Sequence, residues 1–218
     1  MSKITFEEVE KALRLDSYKQ IAEEYPKLIK EAYEHRWAEI SAPFEEAGED
    51  PVDWLEEEKD LLALFKYRMS LMVICCFSEF FEQDLCNYFL DNGEHFDKGC
   101  IFKELVSALD RVYHINVSDF PKIGEMHELV NAIKHGDGRS LENIKRALGE
   151  SVLADSCHGY CIDENKTKAG KQSDFDRQTL TTITLNVEGK LQEYCSEVLR
   201  LWGRIFEAQD ARRSSAKQ

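Results

Sequence analysis

Apolar positions along the chain recur at helical rather than strand spacing. Thr5 with Glu8 and Ser17 with Gln20 each match a capping box, so helices are predicted to start near Phe6 and Tyr18. In the second, Ile21, Tyr25, Leu28, Ile29 and Ala32 repeat every three or four residues, with Pro26 as a kink or restart. Ser41 to Asp53 carries two prolines and Glu45, Glu46, Glu49, Asp50 and Asp53, and reads as a surface linker. One long helix is predicted from Trp54 to Leu90. It is amphipathic at first and apolar all round over Leu71–Phe81, a pattern that implies cover on most sides. Asn92-Gly93 ends it.

A shorter helix is predicted over Phe102–Val112, then a polar loop with Asn116, Ser118, Asp119 and Pro121, then a helix over Lys122–His135. On a wheel at about 100° per residue, Ile123, Met126, Leu129, Val130 and Ile133 fall in one sector, the predicted core face. His127, Asn131 and His135 form a polar stripe along its border, with Lys134 beside them. Gly136-Asp137-Gly138 breaks this helix, and Ser140 with Glu142 is suited to start another. Residues 155–179 read as a polar loop and Thr179–Val187 as a short strand or extended segment. A last helix runs from about Glu188 to Phe206, with a frayed tail from Ala211. The expected organisation is all-α: an N-terminal helical arm and acidic linker (1–53), a helical body (54–208) and a flexible tail (209–218).

Composition narrows the function classes. The 218 residues carry 42 acidic and 28 basic side chains, a formal charge of −14. Phosphate affinity comes from counterion release by clustered Lys and Arg, so a broad duplex-DNA surface is disfavoured. From Lys122 to Arg146, however, Lys122, Lys134, Arg139, Lys145 and Arg146 face only Glu125, Glu128, Asp137 and Glu142, a nearly neutral neighbourhood. At 43% hydrophobic, the chain has enough apolar surface to fold. The Leu71–Phe81 run falls short of the ~20 residues that span a bilayer, and the N-terminus lacks a signal pattern, so the expectation is a cytoplasmic protein without membrane association. The odd count of seven cysteines then favours reduced thiols.

Chemistry is concentrated on the stripe. A histidine in a last helical turn meets the negative end of the helix dipole, which favours its protonated form by about 0.3–2 kcal/mol, and His135 is placed there. Lys134 and Arg139 bring cations to the same end, and Asn131 offers a positioning amide. An imidazole flanked by cations suits phosphodiester chemistry. The same residues are equally what any helix end favours, so polar packing is the competing reading. Glu79 is a carboxylate inside an apolar helix, costly unless paired, and is expected to orient His127 or His135. Cys157, His158 and Cys161 offer three soft ligands without a knuckle spacing, so no metal is expected, and no phosphate loop or other cofactor signature occurs.

Asn131-Ala132-Ile133-Lys134-His135-Gly136-Asp137-Gly138, after a long apolar helix, a short helix and a loop, resembles the HEPN superfamily of α-helical domains. There an Arg-Asn-x-x-x-His motif ends a helix and glycine follows. The resemblance spans roughly Trp54 to Phe206, and only Asn-x-x-x-His-Gly is specific. It implies a four- or five-helix bundle, a homodimer facing two motifs across a groove, and in many members metal-independent endoribonuclease activity in toxin–antitoxin or antiphage systems. Other members are inactive or bind nucleotides. Asn131 and His135 match the motif's Asn and His, whereas its arginine position is Val130. His127, Lys134 or Arg139 would have to supply the missing cation. The implied partners are RNA or a nucleotide and a cognate protein. The alternative is a non-catalytic dimerisation or partner-binding module.

Overall fold

The computed structural model describes residues 5–47, 53–96, 101–135, 143 and 189–215. They form an all-α helical bundle of α1 (Phe6–Ala47), α2 (Asp53–Asp91), α3 (Phe102–Tyr113), a 3-10 turn (Val117–Asp119), α4 (Pro121–His135) and α5 (Lys190–Ser215). No strand occurs among the described residues. The expected strand over Thr179–Val187, the loop at 155–179 and the helix after Ser140 lie outside them, apart from the helical residue Asn143.

The Thr5–Glu8 capping box forms as predicted: Thr5 donates its backbone N–H to Glu8 Oε2 at 2.7 Å, and Glu8 donates its own to Thr5 Oγ1 at 3.2 Å. The second box does not. Ser17 instead donates its hydroxyl to the Leu13 carbonyl one turn back at 2.9 Å, and Gln20 bonds Asp16, so both are mid-helix residues. Consequently α1 is one helix of 42 residues, with Pro26 and Pro43 inside it, and helix extends to Ala47 where a linker was expected. A proline in a helix removes one hydrogen bond and costs about 3 kcal/mol, so packing must hold the helix on either side. α5 likewise continues to Ser215, through the predicted tail, where Arg213 pairs with Glu7 and Arg212 donates to the Val112 carbonyl.

Contacts divide the chain into two compact units. The first gathers Met1–Ala22, Cys75–Val130 and Gly189–Gln218. Its core is aromatic: Trp202 packs edge-to-face on Tyr88 at 5.1 Å and against Phe206 at 5.6 Å, and Tyr18 meets Phe77 at 5.7 Å. Arg14 of α1 enters the edge of this cluster. Its guanidinium lies 4.8 Å from the Trp202 ring centre and donates through Nε to Asp84 at 3.0 Å, while the Tyr18 hydroxyl donates to the other Asp84 oxygen at 2.8 Å. The predicted core face of α4 is buried at Ile123, Met126, Leu129 and Val130.

The second unit comprises Glu23–Ile74 and Asn131–Glu188. Its described part pairs the later half of α1 with the earlier half of α2 in opposite directions. Lys66 sits over the Tyr33 ring at 5.2 Å and Lys59 over the Trp37 ring at 5.6 Å. Leu55, Leu71, Val73 and Ile74 are buried, while Tyr25, Leu28, Leu61, Phe65 and Met72 stay exposed.

Two expectations for α2 change. Its apolar middle is not covered all round, because Met72, Cys76 and Phe80 are exposed while Leu71, Phe77 and Phe81 are buried. Over Leu55–Asp91 the helix is long and apolar enough to cross a membrane by length and composition, with a mean hydropathy of 1.6 in an 18-residue window of which 28% is buried. Cys86 is disulfide-bonded, where reduced thiols were expected.

Candidate functional site

The stripe residues all lie on α4. Its N-terminal end is anchored by alternating charges: Glu125 accepts from Lys122 at 2.8 Å, from Lys190 at 2.9 Å and from the Tyr194 hydroxyl at 3.0 Å, and Glu193 accepts from the same two lysines. Burial alone would raise the Glu125 carboxyl, yet the hydrogen bonds from Lys122 and Lys190 outweigh it and hold the group below the ordinary carboxylate range. Glu193 is lowered chiefly by Lys122. Burial raises the Tyr194 hydroxyl, with the Glu125 charge adding to it, so it stays a donor.

A group whose carboxyl is lowered on folding contributes stability above its unfolded value and loses it as pH falls through the folded one. Glu125 and Glu193 therefore add stability at neutral pH that is lost on acidification from about pH 4.5 downward. The expected result is that Glu125→Gln is less stable than wild type at pH 7, and that its unfolding midpoint in urea changes less between pH 7 and pH 3.

Within the first unit, His127 is held on two sides. Its Nδ1 lies 3.3 Å from Glu82 Oε1, and its ring stacks on Phe102 with centroids 3.9 Å apart and planes 13° from parallel. The His127 and Glu82 side chains are 28% and 26% exposed, so the pair sits at the surface rather than in the core. Ser78, itself buried, donates to the same Glu82 oxygen at 3.5 Å. α2 thus supplies the carboxylate, the first residue of α3 supplies the ring, and α4 supplies the imidazole.

The carboxylate at His127 Nδ1 is Glu82; Glu79, expected to orient His127 or His135, is exposed on α2, and the His135 side chain lies outside those described. Three residues turn a helix by about 60° net, which places Glu82 nearer the face defined by Ser78 and Phe81. The end of the apolar run at Phe81 was the available signal for Glu82. Phe102 had no local signal, because its role follows from how α3 packs.

Within the second unit, Asn131 is half-buried and Lys134 is exposed on α4. His135 is the last residue of that helix, as predicted, although its side chain is not among those described. Arg139, Cys157, His158 and Cys161 lie outside the described residues. Among the described residues, no group of three His, Cys, Asp or Glu converges as metal ligands. Val130 is buried, only 4% exposed, so the arginine position of the resembled motif faces the core of the first unit. No protein family, curated protein or solved structure matches the chain.

Proposed function

We propose that the protein is a HEPN-like effector that binds and cleaves RNA, of the kind that acts in toxin–antitoxin or antiphage defence. The carrying observation is an imidazole held between a carboxylate and an aromatic ring, on the helix that ends in Asn131-Ala132-Ile133-Lys134-His135. In this reading the RNA 2′-oxygen attacks the adjacent phosphorus, its proton passes to His135, and the bond to the 5′-oxygen breaks as that oxygen takes a proton from water. The products carry a 2′,3′-cyclic phosphate and a 5′-hydroxyl. Asn131 positions the phosphate, and Lys134 and Arg139 hold its charge. His127 stands in for the cation absent at Val130. Proteins of this kind pair two motifs across a dimer, act in the cytoplasm and are silenced by a cognate partner; those features come with the reading.

The burial of Val130 favours a second reading, because a residue facing the core cannot hold phosphate. The chain would then be a non-catalytic dimerisation or partner-binding module, with the stripe as polar packing. Expression of the wild type and of His135→Ala separates the two. Cleavage expects growth arrest and fragmented total RNA with the wild type and neither with His135→Ala; identical growth and intact RNA in both favour the second.

A further inference from the structure

Glu82 is not part of the motif, and its contact with His127 suggests a defined role. A carboxylate only accepts hydrogen bonds, so at 3.3 Å from Nδ1 it favours a proton on that nitrogen. In the neutral imidazole the lone pair then lies on Nε2. The stacked Phe102 ring limits rotation of the imidazole plane, and Ser78, bonded to the same carboxylate oxygen, limits movement of the carboxylate. Both constraints act on a pair about one quarter exposed, where water competes with the contact only in part.

We infer that Glu82 is a positioning residue, which fixes the tautomer and orientation of His127 so that Nε2 is the nitrogen that accepts a proton, and Nδ1 stays protonated in both charge states. Its value for RNA chemistry rests on the reading proposed above. The positioning itself does not, and can be observed without RNA. Glutamine keeps the size of Glu82 but can present either an amide oxygen or an NH2 group to Nδ1, so it removes the preference without removing the bulk. Aspartate keeps the charge and the acceptor at a shorter reach.

The test is ring-nitrogen NMR of the full chain at pH 9, where imidazoles are neutral, with the His127 signals assigned by their loss in His127→Gln. The wild type is expected to show a protonated Nδ1 and an unprotonated Nε2. Glu82→Gln should move this toward a mixture or the opposite tautomer, and Glu82→Asp should largely restore the wild-type pattern. In RNA cleavage, Glu82→Gln should lower kcat/KM roughly 10–100-fold, through weaker RNA affinity as well as rate, because the imidazole it orients is the one read as holding the phosphate. An identical His127 tautomer in wild type and Glu82→Gln overturns the proposal. A tautomer that changes while no form cleaves RNA upholds the role of Glu82 and removes the cleavage reading.

Discussion

Trp202→Ala is expected to lower the unfolding free energy by about 3–5 kcal/mol, the usual cost of truncating a large buried aromatic residue. Trp202 is fully buried and joins three elements of the first unit: it packs on Tyr88 of α2 and Phe206 of α5, and carries the Arg14 guanidinium of α1 on its face. Alanine removes the ring and leaves Arg14 with Asp84 but less of its aromatic support. The Trp202 Nε1–H is buried beside the Tyr18 hydroxyl oxygen, outside standard hydrogen-bond geometry. Trp202→Phe, which keeps much of the ring, should cost far less than Trp202→Ala. Urea unfolding measures both. Equal losses for the two variants would show that contacts specific to the indole, not ring volume, govern this part of the core.

The largest effect on activity is expected at His135. Removing a general acid–base group costs roughly 10²–10⁴-fold in rate, so His135→Ala should slow RNA cleavage by at least about 100-fold without weakening RNA binding to a similar degree. His127→Ala is expected to act differently. If His127 supplies the cation that Val130 cannot, its loss weakens RNA affinity as well as rate. Single-turnover cleavage with a binding titration on each variant distinguishes a proton carrier from a phosphate-holding group.

The helices were legible in the sequence wherever one stripe of apolar residues decided the burial. α3 and α4 matched the predicted spans to within a residue at each end, and the predicted face of α4 is buried at four of its positions. What misled was local chemistry that tertiary packing overrode. Ser17 and Pro26 are start and break signals, yet both lie inside α1, where Tyr18 packs on Phe77 in one unit and Tyr33 meets Lys66 in the other. The charge cluster around Glu125 was invisible because Lys190 and Glu193 come from a distant helix. For the same reason Glu82 was not legible: its contact with His127 follows from how α4 packs on α2, not from its place in the α2 sequence.

The proposed function is RNA cleavage through a metal-independent attack by the 2′-hydroxyl, served by residues of α4. Its most direct test is incubation of the purified full chain with total RNA in excess EDTA, followed by analysis of the new termini. The account predicts fragments ending in 2′,3′-cyclic phosphate and beginning with 5′-hydroxyl from the wild type, with production at least about 100-fold slower for His135→Ala. Intact RNA with the wild type, or fragments carrying 3′-hydroxyl and 5′-phosphate ends, would contradict it.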